Sequence, residues 1–223
     1  MSPISPGVVA VFDLDLTITS WDTATRFFIW LIRRSSWKLT VALLTLPLLG
    51  PLFAFDRTRK LPSRFGAWLA TFGVTHDRLA SLAELHVEHV GVRGEKFVRQ
   101  DAMTQLQYHL ALGHEVVVAT GCLEVLARVI LVAEGLSEIV VIGTTVQRHC
   151  GGMVAREHCV GDRKVAMLAD RGYDAWDYAY SDHPSDLPML RKGKRRFIVN
   201  PSSRNAPIML AKLGASATVL SWT

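Results

Sequence analysis

Cysteine is scarce in this chain: Cys122, Cys150 and Cys159 are the three present in 223 residues. An odd number at spacings that fit no zinc site excludes a disulfide framework and a structural zinc module, and it points to a reducing compartment. The amino-terminal stretch Met1 to Gly7 lacks the basic opening of a secretory signal, so no export signal is expected there. Long apolar runs are also lacking. The longest, Leu39 to Phe55, falls short of the roughly 20 residues a transmembrane helix needs and is interrupted by Pro47 and Gly50-Pro51. No repeat or low-complexity segment stands out, and the length allows one domain with a real core plus an insertion.

What is present is apolar and basic. Hydrophobic residues make up 49% and mean hydropathy is +0.22, high for a soluble enzyme, while 20% charged residues are too many for a multi-spanning membrane protein. A net charge of +5 and an isoelectric point near 9.3 favour acidic partners: nucleic acid, anionic lipid or a phosphorylated substrate.

The most informative stretch is Val8-Val9-Ala10-Val11-Phe12-Asp13-Leu14-Asp15-Leu16-Thr17. A continuous β-branched run reads as a buried strand of a parallel sheet. It ends in two carboxylates, where ligands of open α/β sheets bind. Residues i and i+2 of an extended segment share a side, so Asp13 and Asp15 crowd one small space and call for a divalent cation or a shared proton. The plainer reading is a strand followed by an Asx-turn.

If Asp13 is a nucleophile, a hydroxyl donor, a cation and a second acidic site must follow to hold and neutralise a phosphoryl group. Each appears in order. Glu115 to Gly121 is a second apolar run, ending in Thr120, with Gly121 permitting close backbone approach. Lys164 falls in the first turn of a helix expected from Gly161 onward, where a cation opposes the helix dipole and is placed for an anion. Trp176 to Asp182 is a third strand ending in a carboxylate, with Asp186 four residues on. Singly, Thr120 could be a helix N-cap, Lys164 a solvated lysine, and Asp182 and Asp186 turn and helix-start acids. Their order and their placement at strand ends outweigh those separate explanations.

Together, Phe12-Asp13-Leu14-Asp15-Leu16-Thr17, Thr120-Gly121, Lys164 and Ser181-Asp182-His183-Pro184-Ser185-Asp186 resemble the four motifs of haloacid-dehalogenase-superfamily phosphatases, in the subgroup that includes phosphoserine phosphatases. Phe28 to Arg34, Leu46 to Leu49, Lys164 to Leu168 and Asp186-Leu187-Pro188 extend the likeness to the bacterial phosphatidylglycerophosphatase C family; it covers about residues 8 to 200. The resemblance implies a doubly wound, Rossmann-like parallel sheet with an inserted helical cap. It also implies an aspartyl-phosphate mechanism with Asp13 as nucleophile and Asp15 as acid and base. Thr120, Gly121 and Lys164 would bind phosphate. Mg2+ would lie at Asp13, the backbone of Asp15 and Asp182, with Asp186 as ligand or support. Leu16 stands where many members carry glycine, and Ser181-Asp182-His183-Pro184 replaces a Gly-Asp run; both departures touch loop geometry rather than chemical groups.

The expected core comprises residues 1–19 and 96–223, with a helical cap at 20–95 returning through Gly91 and Gly94. A helix is expected over Asp101 to Leu112, strands over 115–120, 138–143, 176–181 and 195–199, and a hairpin over 144–156 around Gly151-Gly152. The tail after Asn200-Pro201 is weakly patterned and is expected to pack loosely.

Within the cap, Pro47 and Gly50-Pro51 should split the apolar run (segment 37–55) into two short helices. Arg33, Arg34 and Lys38 precede it and Arg57, Arg59, Lys60 and Arg64 follow it, which favours one membrane side for both flanks. Asp13 precedes the run while Thr120, Lys164 and Asp182 follow it, and all must meet, so a single crossing is excluded. A re-entrant hairpin, an interfacial helix pair and buried cap core remain. The basic flanks favour the membrane surface, since each Lys or Arg near anionic lipid contributes about 1 kcal/mol. The expected protein is therefore a lipid-phosphate phosphatase, phosphatidylglycerophosphate first, on the cytoplasmic face of a bacterial inner membrane, with an anionic membrane surface and no nucleic acid as partner. Phe27, Phe28, Trp30, Leu31 and Trp37 are expected to meet the leaving group. A phosphoserine-type cytoplasmic enzyme, with Arg26 as its cation and Asp22, Glu84 or Glu88 as its acid, and a non-catalytic membrane-surface module are the alternatives.

Overall fold

The computed structural model describes residues 7–54, 58, 60–92 and 97–223. Expectations resting on the first six residues, Phe55, Arg57, Arg59 and Gly94 lie outside them.

Seven strands form one sheet: β1 (Val9–Phe12), β2 (Glu115–Leu123), β3 (Val140–His149), β4 (Gly152–Glu157), β5 (Trp176–Ser181), β6 (Gly193–Val199) and β7 (Ala217–Leu220), in the order β4-β3-β2-β1-β5-β6-β7. Every neighbouring pair is parallel except the β3–β4 hairpin. The chain winds outward from β1 through β2 and β3, then returns to β5 on the other side, so the expected doubly wound α/β fold is what forms. The continuous apolar run of β1 has a direct cause. Ala10 and Phe12 face one core with Val116 and Val118, while Val9 and Val11 face a second with Val117 and Ala119. A strand buried on both faces needs no polar alternation.

Helices cover both faces. Between β1 and β2 lie α1 (Thr23–Arg33), α2 (Ser36–Leu49), α3 (Lys60–Thr71), α4 (His76–Val92) and α5 (Gln100–Ala111); α6 (Glu124–Ala133), α7 (Asp162–Ala169), α8 (Leu187–Lys192) and α9 (Asn205–Leu213) follow. The insertion α1–α4 leaves and rejoins the core at one place. Thr19 pairs with Val98 across an antiparallel bridge, flanked by Arg99 N–H to Ile18 O at 2.9 Å.

Several local expectations are corrected. Gly91 is helical, in the last turn of α4, and the hinge expected there rests on residues after Val92 that lie outside those described. The α2 helix runs through Pro47 and changes to a 3-10 turn only at Gly50–Ala54. Proline in the last turn removes a single ladder bond, so it does not divide this helix. Lys38 is no exposed flank charge. It is buried, and its ammonium donates to Ala70 O at 2.8 Å at the end of α3. Phe27 and Leu31 face the core, leaving Trp37 as the exposed member of the aromatic-apolar group expected to meet substrate. The tail is ordered, not loose: α9 packs into the second core, β7 completes the sheet, and Asn200 clamps Trp222 through a 2.7 Å and a 2.8 Å hydrogen bond.

Candidate active site

Asp13 follows β1 directly. Its N–H donates to Tyr180 O at 2.9 Å, extending the β1–β5 ladder and setting the residue beside the end of β5. Beneath it, Phe12 stacks on Tyr180 with ring centroids 4.1 Å apart. The chain then makes a wide turn over Leu14–Ile18, closed by Thr19, whose N–H and hydroxyl donate to Leu14 O at 2.9 and 3.1 Å. Leu16 occupies the left-handed region at φ 62°. An L-residue pays about 1 kcal/mol there, which explains why glycine suits the position; the leucine side chain is exposed and meets no crowding.

This turn gives the two carboxylates different partners. Asp13 stays in the cleft, whereas Asp15 Oδ1 accepts from Thr23 N–H at 2.7 Å and Thr23 Oγ1 at 2.6 Å, at the start of α1. Thr17 lies between motifs: its hydroxyl is 3.4 Å from both Asp13 Oδ2 and Asp182 Oδ1 and accepts Asp182 N–H at 3.1 Å.

Thr120 is buried at the end of β2, where the register against β3 slips between Thr120 and Leu123. Its hydroxyl accepts Cys122 N–H at 3.0 Å, and α6 begins only at Glu124, so it is no helix cap. A side chain at Gly121 would sit 3.1 Å from Val160, tighter than ordinary contact. Lys164 is the reverse of a solvated lysine: it is buried on α7 with its ammonium 2.8 Å from Asp13 Oδ1 and 2.8 Å from Asp186 Oδ1. Burial by itself would lower its pKa, but the two carboxylates outweigh that and hold it above the usual lysine value.

The structure thus brings Asp13, Thr120, Lys164 and Asp182 to the carboxyl ends of neighbouring strands. It does not bring all four expected metal carboxylates together. Asp186 is engaged by Lys164 and by Ser181 Oγ at 2.8 Å, Asp15 is turned to α1, and among the described residues no three acidic, histidine or cysteine side chains converge as a metal cluster. What remains is Asp13 and Asp182, both reaching Thr17, with the backbone of Asp15 nearby in sequence. Two carboxylates are oxygen donors of the kind that suit Mg2+, a hard cation that keeps much of its hydration. The electrostatics also fit a cation. Burial, above all, pushes Asp13 well above the usual carboxylate range and Asp182 up to about 6, and Asp186 raises both further. Burial likewise pushes Asp15 up to about 6 against the Thr23 hydrogen bonds.

Sequence reasoning assigned no role to Thr17, Thr23 or Ser181. Thr17 could have been found from its place two residues after Asp15. Thr23, at the first turn of a helix, carries no such local signal.

Residues 10–191 match the family of haloacid dehalogenase-like hydrolases. The chain belongs to that family and is an enzyme of the hydrolase class. Among solved structures it is similar to a protein of unknown function from Bordetella pertussis Tohama I: 21% identity over 96% of this chain and 98% of that one, TM-score 0.73. It is also similar to a phosphoserine phosphohydrolase-like protein from Francisella tularensis subsp. tularensis SCHU S4, at 12% identity over 95% and 94% of the two chains and TM-score 0.58. A phosphoserine phosphatase solved as a phospho-aspartyl intermediate analogue matches at 12% identity over 96% and 93%, with TM-score 0.56. These likenesses establish the fold; fold alone does not settle substrate.

Proposed function

We propose that the protein is a Mg2+-dependent phosphomonoesterase working through an aspartyl phosphate, and that its substrate is a lipid phosphate, phosphatidylglycerophosphate first. The observation that carries the chemistry is the division of labour between two carboxylates. Asp13 is held in the cleft by Lys164, while Asp15 is held apart by α1. An Asp13 oxygen attacks phosphorus; the bond to the leaving oxygen breaks, and Asp15 gives that oxygen its proton. Water then attacks the aspartyl phosphate, Asp15 takes a proton from it, and Asp13 departs as carboxylate with release of inorganic phosphate. A group near pKa 6 serves both directions at neutral pH. Thr120 and Lys164 hold phosphoryl oxygens. Asp13, Asp182 and the Asp15 carbonyl would hold Mg2+, which supplies charge neutralisation when bound.

The lipid reading rests on α2. Leu43, Leu44, Leu46 and Leu48 are 60%, 76%, 57% and 76% exposed, which buried cap core would not be. Arg33 and Arg34 before the helix and Lys60 and Arg64 after it are exposed as well. An apolar helix with basic neighbours suits adsorption to an anionic bilayer surface, here the cytoplasmic face of a bacterial inner membrane. Among the described residues no helix is long and apolar enough to cross a membrane. The acidic groups named for a phosphoserine site are engaged or lie elsewhere. Asp22 caps α1 by accepting Thr25 N–H at 2.8 Å, and Glu84 and Glu88 line an open groove between α4 and α6 that holds no site residue. The test compares kcat/KM for phosphatidylglycerophosphate in mixed micelles with that for phosphoserine. The lipid should be far the better substrate; equal or better turnover of phosphoserine overturns the lipid reading.

A further inference from the structure

Thr23 is the one described residue that hydrogen-bonds the Asp15 carboxyl. Both its donors converge on the same oxygen, N–H at 2.7 Å and Oγ1–H at 2.6 Å from Oδ1. The residue is 1% exposed, so water does not compete for these bonds. A threonine hydroxyl has a single proton, and the short contact gives it to Asp15. The lone pairs of Oγ1 then face Cys122 Sγ at 3.1 Å, a buried thiol whose S–H can donate to them. Thiol, hydroxyl and carboxyl form a chain that links the end of β2, the first turn of α1 and the residue cast as proton donor.

This arrangement has a chemical consequence. An oxygen that accepts two hydrogen bonds along its lone pairs is a poor place for a proton, so a protonated Asp15 carries its hydrogen on Oδ2. Among the described residues Oδ2 has no partner and is left to the reacting groups. We propose that Thr23 is a positioning residue for Asp15: it confines the transferable proton to Oδ2, fixes the direction in which that oxygen points, and makes both depend on α1 lying against Cys122. The inference rests on the phosphomonoesterase reading and deepens it.

When the P–O bond breaks, an alkoxide leaving group must receive the Asp15 proton, whereas p-nitrophenolate departs stably without one. Loss of aim therefore penalises the first and spares the second, a pattern that general destabilisation cannot imitate. The experiment measures kcat/KM of wild type, Thr23→Val and Thr23→Ser on glycerol phosphate and p-nitrophenyl phosphate, with circular dichroism as a check on folding. Valine keeps the N–H and the shape but removes the hydroxyl. It should lower kcat/KM for glycerol phosphate by about 100-fold, the scale of a misaligned general acid, and leave p-nitrophenyl phosphate nearly unchanged. Serine restores the hydroxyl and should recover most of the loss. Equal losses on both substrates, no loss at all, or failure of serine to rescue would each overturn the role of Thr23. A wild-type enzyme inert toward both esters and toward lipid monoesters would overturn the phosphatase reading itself.

Discussion

Lys164 decides the charge state of the cleft at the level of single residues. One ammonium meets two buried carboxylates at 2.8 Å each, and a third, Asp182, lies close by. Lys164→Met leaves Asp13 and Asp186 buried without their counter-charge. Removing one partner of a buried pair is expected to cost about 3–5 kcal/mol, read as a lower urea midpoint, and phosphate release should fall to background. Asp13→Asn is gentler on the fold, because the shape is kept and Lys164 retains Asp186. Turnover should still vanish, since an amide does not attack phosphorus. Circular dichroism and phosphate release together check both statements, and substantial turnover by the Asn variant would rule out the aspartyl phosphate. Chelation by EDTA should abolish activity and added Mg2+ restore it, given that Asp13 Oδ2 and Asp182 Oδ1 both reach Thr17 while Lys164 meets the other oxygen of Asp13.

For single elements, α2 separates two physical pictures of the same apolar run. Its leucines are exposed, so changing Leu43, Leu44, Leu46 and Leu48 together to serine removes little packing; exposed positions usually shift stability by within about 0.5 kcal/mol each. The variant should stay folded and move from the pellet to the supernatant when sedimented with anionic vesicles. Wild type should be released by detergent more than by salt, because apolar burial at about 25 cal/mol per Å2 is not screened. An unfolded or aggregated variant would show instead that these leucines form core. Lys38 marks the element's other side: its buried ammonium on Ala70 O ties α2 to α3, so the helix is anchored on one face and open on the other.

The pH dependence of stability belongs to the whole molecule, because opposed groups sum. Burial lowers His86 and His109 from 6.5 to about 4; each binds its proton more readily when unfolded, so stability is lost as pH falls from 6.5 towards 4. Asp15 and Asp182, raised from 3.8 to about 6, act in the opposite sense over the same range. The two sets are separable by mutation. Among the described residues neither ring nitrogen of His86 has a hydrogen-bond partner, and the ring lies among Phe27, Trp30 and Phe97. His86→Leu forfeits no hydrogen bond and removes one acid-sensitive group. Thermal unfolding at pH 7.5 and 5.0 should show a smaller acid-induced fall in Tm for this variant than for wild type. An equal or larger fall would mean that His86 is not held neutral by burial.

The amino-acid sequence alone determined the sheet at its centre and the chemistry at its edge. A strand buried on both faces must be apolar throughout, so β1 and β2 were legible as runs, and carboxylate, hydroxyl and lysine at their ends stood out against that background. Helix α5 and strand β5 fell within a residue or so of their expected bounds for the same reason: their patterns are local. Only the tertiary structure decided the rest, through contacts between residues far apart in the chain. The tail joins the sheet because Asn200 and β6 hold it from 22 residues away, which no pattern in Ala217–Leu220 announces. Lys38 is buried because a carbonyl 32 residues distant receives it. The two aspartates that share a motif are pulled to different tasks, Asp13 by Lys164 and Asp15 by Thr23, since one wide turn at Leu16 lets each find a partner that the spacing between them could not reveal.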